Sequence, residues 1–347
     1  MSTTTPTRTE RGSSRRSLLA RVAIGATASL LAVGLAACGS GSGSGGAGGS
    51  GSSADQPLTL GFAQVGAESG WRTANTKSIQ DSAAAAGVNL KFSDGQQKQE
   101  NQIKAIRSYI QQKVDVIAFS PVVTTGWDTV LQEAKRANIP VILTDRAVDS
   151  PDTSLYKTFL GSDFVAEGKK AGDWLVQQEK GKTEPLSIVQ LEGTTGSAPA
   201  IDRTKGFADA ITAAPNMKVV ASQTGDFTRS GGKQVMEAFL KSQPKIDVVY
   251  AQNDDMGLGA IEAIQAAGKV PGKDIQIITV DATHDGMQAL ADGKINYIVE
   301  CSPLLGEQLM DLAKKVKAGQ PVPARVLTQE TTFDQAAAQK ALPERKY

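Results

Sequence analysis

The sequence predicts an α/β protein made of two doubly wound domains, each with a parallel sheet. Short runs rich in β-branched residues alternate with stretches that carry apolar residues at helical spacing. This alternation is typical of parallel sheets with helices on both faces. Ten strand candidates are many for one sheet, and Asp149-Ser150-Pro151-Asp152 interrupts the alternation. We therefore expect two sheets, with a crossing between them near residues 160–163.

The strand candidates are short apolar segments, each followed by polar or turn residues. In chain order they are Leu58–Val65, Val88–Ser93, Asp115–Ser120, Val141–Thr144, Thr158–Gly161, Leu186–Leu191, Lys218–Gln223, Val248–Ala251, Ile275–Val280 and Ile295–Val299. Helices are expected between them, for example after Gln99, where Ile103, Ile106 and Ile110 share one face. Others are expected before Arg136 and before Pro215.

Residues 1–37 are predicted to be an export signal that is not part of the fold. A basic region with five arginines precedes an apolar run from Val22 to Ala37. The run ends in Leu-Ala-Ala-Cys38, which resembles a bacterial lipoprotein signal whose cysteine is acylated. A transmembrane anchor is the alternative, but the run is short and rich in small residues. Arg15-Arg16 also resembles a twin-arginine motif, so both the Sec and the twin-arginine export pathways remain open.

Residues 38–56 are predicted to be an acylated cysteine and a flexible tether, because Gly39 to Ala54 is almost entirely glycine and serine. This arrangement predicts a domain anchored by lipid at the outer face of the cell membrane. A single acyl chain anchors weakly, so stable attachment depends on the several chains of a mature lipoprotein.

Charge and cysteine content exclude several classes of protein. The whole chain has net charge +1, and residues 1–37 contain five Arg and one Glu, so the remainder carries about −3. Nucleic acid is therefore not an expected partner. Once Cys38 is acylated, Cys301 has no disulfide partner and is expected to be a small buried residue. The single histidine, His284, cannot form a histidine-based zinc site, and no cofactor is expected.

Polar residues follow nearly every strand candidate at its carboxyl end. In open α/β sheets, ligands bind beyond these ends. Each residue alone has a plain structural explanation: Asp145 and Asp281 as helix caps, Arg146 in a surface ion pair, Trp71 in the core, Asp254 and Asp255 as cap and solvent-facing residues. The set recurs at one edge in both halves, however. It consists of Glu68, Ser69, Trp71, Arg72, Asp94, Asp145, Arg146, Glu192, Arg203, Phe227, Asn253, Asp281 and Glu300.

A neutral, polyhydroxylated ligand explains this mixture best. Carboxylates and amides accept or donate paired hydrogen bonds, and arginine donates a rigid fork, so both suit sugar hydroxyls. Trp71 and Phe227 can cover the apolar faces of a sugar ring. A purely anionic ligand would be repelled by the carboxylates. We therefore expect Asp145 and Arg146 to face the hydroxyls of a ligand and to neutralise each other.

Long segments of the chain resemble one protein family. The carriers include "GFAQVGAESGWR" (61–72), "DGQQKQENQIKAIRS" (94–108), "AIDRTKGFADAI" (200–211) and "YAQNDDMGLGAI" (250–261), and "TDRAVD" (144–149) keeps the Asp-Arg pair. Residues 57–347 resemble the ABC-transporter sugar-binding proteins of the ribose-binding type, the periplasmic binding proteins of fold type I. Within that family they are most similar to the galactofuranose-binding branch.

The resemblance implies roles for individual residues. Glu68, Ser69, Trp71 and Arg72 match a loop that stacks on and hydrogen-bonds the sugar, and Asp94 matches a polar contact. Asp145 and Arg146 match the sugar clamp of the first domain. The second domain supplies contacts that match Arg203, Phe227, Asn253, Asp281 and Glu300. Ribose binders have consecutive phenylalanines where this chain has Trp71-Arg72, which favours a hexofuranose over ribose.

The resemblance also implies a domain layout and partners. The first lobe comprises residues 57–160 plus 301–329, and the second comprises 161–300 plus 330–347. The crossings between them form a multi-segment hinge that closes on a monosaccharide. The expected partner is the permease of an ABC importer, and the protein is expected to be a monomer without enzymatic activity.

Three alternatives remain at this stage. Two of the carboxylates could serve a glycosidase, although no phosphate loop or nucleotide fingerprint is present. A sugar-responsive repressor would need a helix-turn-helix headpiece where this chain has a signal and a tether. A binding protein that serves a chemoreceptor cannot be separated from one that serves transport.

Overall fold

The computed structural model describes residues 57–347, which contain two six-stranded sheets. The predicted export signal, Cys38 and the tether lie outside the described residues. In chain order the elements are β1 (Thr59–Gln64), α1 (Gly70–Ala85), β2 (Asn89–Asp94), α2 (Gln99–Gln111), β3 (Val116–Phe119), α3 (Asp128–Arg136), β4 (Val141–Thr144), β5 (Thr158–Gly161), α4 (Phe164–Gln178), β6 (Leu186–Glu192), α5 (Ala198–Ile211), β7 (Met217–Thr224), α6 (Arg229–Ser242), β8 (Val248–Ala251), α7 (Asp254–Ala266), β9 (Gln276–Asp281), α8 (His284–Ala291), β10 (Tyr297–Glu300), α9 (Gly306–Lys317), β11 (Arg325–Leu327), β12 (Thr332–Phe333) and α10 (Gln335–Ala341).

The strand orders are those of doubly wound sheets. The first sheet runs β2-β1-β3-β4-β5-β11, and all its pairings are parallel. The second runs β7-β6-β8-β9-β10-β12, and its β10–β12 pairing is antiparallel. We call each sheet with the helices that pack on it a lobe. The predicted α/β fold class, with two doubly wound sheets, is confirmed.

Apolar side chains cover both faces of each sheet. In the first lobe, Leu60 and Phe62 of β1 join a core with α1 and α9, while Ala63 joins a separate core with α2 and α3. The second lobe likewise has one core on each side of its sheet. Strands β3, β4 and β8 are fully buried and almost entirely apolar because both faces of each sheet are covered.

The chain crosses between the lobes three times, after β5, after β10 and after β11. Glu330, in the third crossing, ties all three together. Its Oε1 accepts hydrogen bonds from Ser162 Oγ of the first crossing (2.5 Å) and from the backbone N–H of Ser302 in the second (3.0 Å). This carboxylate therefore links the three crossing segments of the predicted hinge.

The sequence missed two strands. All ten candidates are strands in the structure, but β11 and β12 were not expected. They contain three and two residues, too few to show a period-two pattern. Among residues 57–347, no helix combines the length and apolarity that a membrane crossing needs.

Candidate functional site

A cavity lies between the two lobes, at the carboxyl ends of the central strands. Ten residues that the sequence singled out line it, together with two that it did not, Pro199 and Cys301. The ten are Glu68, Ser69, Trp71, Arg72, Asp145, Arg146, Arg203, Phe227, Asn253 and Asp281. Their meeting follows from topology, since parallel strands bring their carboxyl ends to one edge.

The start of α1 orients three of these side chains. Ser69 is the N-cap of α1, and its hydroxyl accepts a hydrogen bond from the backbone N–H of Arg72 (3.1 Å). Trp71 is 5% exposed, and its Nε1 donates to the carbonyl of Cys301 (2.7 Å). The Arg72 guanidinium lies 4.7 Å from the centre of the Trp71 ring. The ring is therefore fixed by the helix and by the second crossing segment.

Asp145 and Arg146 turn sharply out of β4. Asp145 has φ 59°, a left-handed conformation that Asp tolerates better than most residues. Its carboxylate accepts a hydrogen bond from Arg72 Nη2 (2.7 Å), while Arg146 Nη1 donates to the carbonyl of Val122 (3.2 Å). Asp145 is not a helix cap, and Arg146 is 2% exposed, so both plain explanations are wrong.

Four charged residues of the first lobe form one buried network. Arg72 Nε lies 3.0 Å from Glu68 Oε1, and Arg146 lies 3.8 Å from Glu68 and 3.7 Å from Asp145. Burial opposes ionisation of Glu68, but Arg72 and Arg146 outweigh it and lower its pKa. Burial and the neighbouring Arg72 lower the pKa of Arg146 to about 10. Both arginines are therefore charged at neutral pH.

Two buried atoms of this network make no hydrogen bond within the described residues. They are Glu68 Oε2 and Arg146 Nε, although Arg146 Nε lies 3.7 Å from Asp145 Oδ2. Leaving such groups without a hydrogen bond is costly. One acceptor and one donor thus remain for a ligand in the cavity.

Arg203 of α5 reaches the cavity from the second lobe. Its Nε donates to Glu167 Oε2 (2.7 Å) and its Nη1 to the carbonyl of Gln252 (2.6 Å). Its guanidinium also lies 5.0 Å from the centre of the Phe164 ring. Both Arg203 and Glu167 are at most 3% exposed. Glu167 was not predicted from sequence, because it lies inside a helix and not at a strand end.

Phe227 and Asn253 form one corner of the cavity. Phe227 has φ 60°, and its carbonyl accepts a hydrogen bond from Asn253 Nδ2 (3.0 Å). Asn253 is also the N-cap of α7, accepting from the backbone N–H of Met256. The Phe227 ring lies 5.3 Å from the Arg146 guanidinium. This contact joins the two lobes across the cavity.

Asp281 ends β9 with φ 125° and is 3% exposed. Burial, reinforced by the neighbouring Asp254, raises its pKa well above the usual range. Both the burial and the neighbouring Asp254 disfavour the charged form of the Asp281 carboxyl. The plain explanation of Asp254 as a helix cap is wrong, because Asn253 caps α7. Asp254 is fully buried and accepts from Thr279 Oγ1 (2.6 Å) and from the N–H of Thr283 (2.7 Å).

The lobes also contact each other at the rim of the cavity. The backbone N–H of Gly70 donates to Asp255 Oδ2 (2.8 Å), and that of Thr124 donates to the carbonyl of Gly196 (2.9 Å). These bonds link the first lobe to the second on different loops. The structure is therefore a closed form, with the cavity side chains shielded from bulk water.

Two predicted contacts lie elsewhere. Asp94 is exposed at the end of β2, where its carboxylate accepts from the N–H of Gln96 (2.7 Å). Glu300 pairs with Arg345 Nη1 (2.9 Å) and accepts from the N–H of Thr331 (3.0 Å). β2 is the edge strand of its sheet, and the Glu300 carboxylate is paired with Arg345. Neither residue lines the cavity.

One group of potential metal ligands exists among residues 57–347. It consists of Glu167, Cys301 and Glu330, whose ligand atoms all lie within 4.8 Å of one another. Glu167 is paired with Arg203, and Glu330 holds the crossing segments. Cys301 is buried after β10, as predicted, and burial raises the pKa of its thiol. The geometry therefore assigns these residues to the hinge and to the orientation of Arg203.

Three comparisons place these features among known proteins. The Escherichia coli (strain K12) galactofuranose-binding protein YtfQ is 50% identical over 294 residues, covering 84% of this chain and 92% of that protein. A solved structure from Mycobacterium smegmatis in complex with β-D-fucofuranose is 73% identical, with a TM-score of 0.83, covering 84% of this chain and 95% of that one. The binding component of the Shewanella sp. ANA-3 arabinose ABC transporter, bound to α- and β-L-arabinofuranose, is 47% identical, with a TM-score of 0.80, covering 83% and 96%.

A family model described as a periplasmic binding protein domain matches residues 60–321. The match includes β1 to α9 and every residue that lines the cavity. The chain therefore belongs to the periplasmic binding protein family.

Proposed function

We propose that the protein captures one monosaccharide in its furanose form in the cavity between the lobes and delivers it to an ABC importer. The observation that carries this proposal is the joint lining of the cavity by charged, neutral polar and aromatic groups from both lobes. The two lobes correspond, in this proposal, to residues 57–160 plus 301–329 and 161–300 plus 330–347. The membership of the strands in the two sheets supports that division.

The charges favour a neutral ligand. Glu68 and Asp145 oppose Arg72 and Arg146 in the first lobe, and Arg203 is paired with Glu167 in the second. An anionic ligand would therefore meet arginines that already have carboxylate partners. Sugar hydroxyls both donate and accept, so they can complete Glu68 Oε2 and Arg146 Nε together.

The contacts support the following proposed roles. Glu68, Asp145 and Asn253 are proposed to hydrogen-bond sugar hydroxyls, with Arg146 and Arg203 as donors. Asp281 supplies a further hydrogen-bonding group from the second lobe. Trp71 and Phe227 cover the ring, while Ser69 and Arg72 hold the first-lobe groups in place. Asp94 and Glu300 are not included, since neither lines the cavity.

The furanose form is supported by what the relatives bind. The Mycobacterium smegmatis and Shewanella structures contain furanose sugars, and the Escherichia coli relative is named for galactofuranose. A five-membered ring places its hydroxyls and side chain differently from a six-membered ring, so one cavity discriminates between them. We propose a galactofuranose-like ligand for this chain.

The location and attachment are also part of the proposal. Export and acylation of Cys38 would hold the binding domain outside the cell, next to the permease that receives the sugar. The sequence features at residues 1–56 support this attachment. Mass spectrometry of the membrane fraction should find an acylated Cys38 as the first residue. An unmodified chain in the soluble fraction would contradict the lipid anchor.

Calorimetry tests the ligand. The purified protein should bind one D-galactose, D-fucose or L-arabinose per chain, and the anomeric ¹³C shift of the captured sugar should be that of a furanose. D-Galacturonate serves as the control, because its added carboxylate should prevent binding. Absence of heat with all pentoses and hexoses would contradict the proposal. Hydrolysis of a furanoside by the protein would instead favour a glycosidase.

A further inference from the structure

The backbone that carries Asp281 into the cavity has an unusual conformation. Asp281 has φ 125° and Ala282 has φ 66°, two consecutive non-glycine residues with positive φ. Such conformations persist only where the surrounding structure holds them in place. The direction of the Asp281 side chain, and therefore its contribution to the cavity, depends on whatever fixes residues 281–284.

Several hydrogen bonds hold this segment, and two of them are made with the last residues of the chain. Within the lobe, Cys301 N–H donates to the carbonyl of Asp281 (3.1 Å) and Thr283 N–H to Asp254 (2.7 Å). From the tail, Arg345 Nε donates to the carbonyl of Ala282 (2.5 Å). The tail also accepts, since His284 N–H donates to the carbonyl of Tyr347 (2.6 Å).

The tail is itself fixed by a compact set of contacts. Arg345 Nη1 lies 2.9 Å from Glu300 Oε1, and both side chains are largely buried, at 10% and 14% exposure. The guanidinium lies 4.1 Å from the Tyr347 ring centre and 5.4 Å from that of Phe333. The Tyr347 hydroxyl donates to the same Glu300 oxygen (3.1 Å). A planar guanidinium is suited to bind a carbonyl, a carboxylate and an aromatic face at once.

We propose that Arg345, held by Glu300, is a positioning residue of the ligand site that acts by fixing the backbone of Asp281. Glu300 therefore acts on the site by holding Arg345 and does not contact the ligand itself. The inference rests on the proposed function, because it assumes that Asp281 contacts the sugar. It predicts that substitutions outside the cavity change affinity through one residue inside it.

A double-mutant cycle tests the path of this effect. Arg345→Ala should raise the dissociation constant for D-galactose by roughly tenfold, whereas Lys346→Ala, at an exposed neighbour, should not change it. In an Asp281→Ala background, Arg345→Ala should add less than a twofold loss. A full tenfold loss in that background, or an unchanged dissociation constant in the single variant, would overturn the proposal. Arg345→Lys should recover part of the affinity.

Hydrogen exchange provides a readout that needs no sugar. Arg345→Ala should speed amide exchange in residues 281–286 and leave the first lobe unchanged. Unchanged exchange in that segment would overturn the proposal even if the protein bound no sugar, so this result is separate from a failure of the proposed function. If Arg345→Ala does not fold, Glu300→Gln should give the same two effects at smaller size, and their absence would be equally decisive.

Discussion

Replacing Asp145 by Asn is the most informative single change at the site. Asn keeps the shape of the side chain and tolerates the left-handed backbone at φ 59°, so the substitution removes mainly the charge. Arg72 then loses the partner at 2.7 Å, and Arg146 loses a carboxylate at 3.7 Å. Two buried guanidiniums remain with Glu68 alone.

The substitution should lower both the free energy of unfolding and the affinity for sugar. Breaking a buried ion pair by removing one partner costs about 3 kcal/mol at the lower end of the usual range, and the amide oxygen of Asn retains one acceptor. The free energy of unfolding should fall by that amount in urea denaturation. A hydrogen bond to a charged group contributes roughly 1.5–3 kcal/mol, so the dissociation constant for D-galactose should rise by roughly 10- to 150-fold in calorimetry.

Asp81→Asn is the matched control. Asp81 forms an ion pair with Lys77 at 2.5 Å, but the side chains are 64% and 74% exposed. Such a pair contributes little, so both measurements should stay within error of the unmodified protein. If Asp145→Asn behaves like Asp81→Asn, the buried network does not hold the ligand and the reasoning fails.

Three further changes probe other parts of the site. Trp71→Phe loses the hydrogen bond to the Cys301 carbonyl but keeps an aromatic face, so sugar binding should weaken by a few fold. The ligand-dependent fluorescence change should disappear in this variant, whereas Trp174→Phe should retain it. Full signal from Trp71→Phe would assign Trp71 to the core alone. Burial raises the pKa of Asp254 from 3.8 to about 6, so the folded form holds a proton that the unfolded form has released, and stability falls as pH rises from 3.8 to 6. Asp254→Asn should remove about 3 kcal/mol of that fall, measured as unfolding free energy at pH 4 and 6.5, and an unchanged slope would contradict the shift. In Gly193→Ala the added Cβ would lie 1.9 Å from the Phe227 ring, so the ring must move and the affinity for D-galactose should drop about tenfold. An affinity within twofold of that of the unmodified protein would show that the ring does not form part of the site.

The sequence predicted the regular part of the fold well. Buried parallel strands are apolar runs bounded by turns, and all ten candidates, such as Val141–Thr144 and Val248–Ala251, are strands. β11 and β12 were missed because they are very short. Each also pairs with a sheet whose other strands lie earlier in the sequence. Such long-range returns leave no local pattern.

The site was most readily predicted where its residues follow the carboxyl end of a predicted strand. Asp145, Asn253 and Asp281 follow that rule and line the cavity together. Asp94 and Glu300 follow it too but lie outside the cavity, because one sequence does not show which strand ends reach the space between the lobes. Glu167, Cys301 and Arg345 carried no such signal. Their roles depend on tertiary contacts with Arg203, Trp71 and Ala282.

A crystal structure of the protein grown with D-galactose tests the central claim most directly. One furanose ring should occupy the cavity, hydrogen-bonded to Glu68 or Arg146 from the first lobe and to Arg203 or Asp281 from the second. Trp71 and Phe227 should lie against its faces. A sugar that contacts only one lobe, or that binds outside this cavity, would contradict the account.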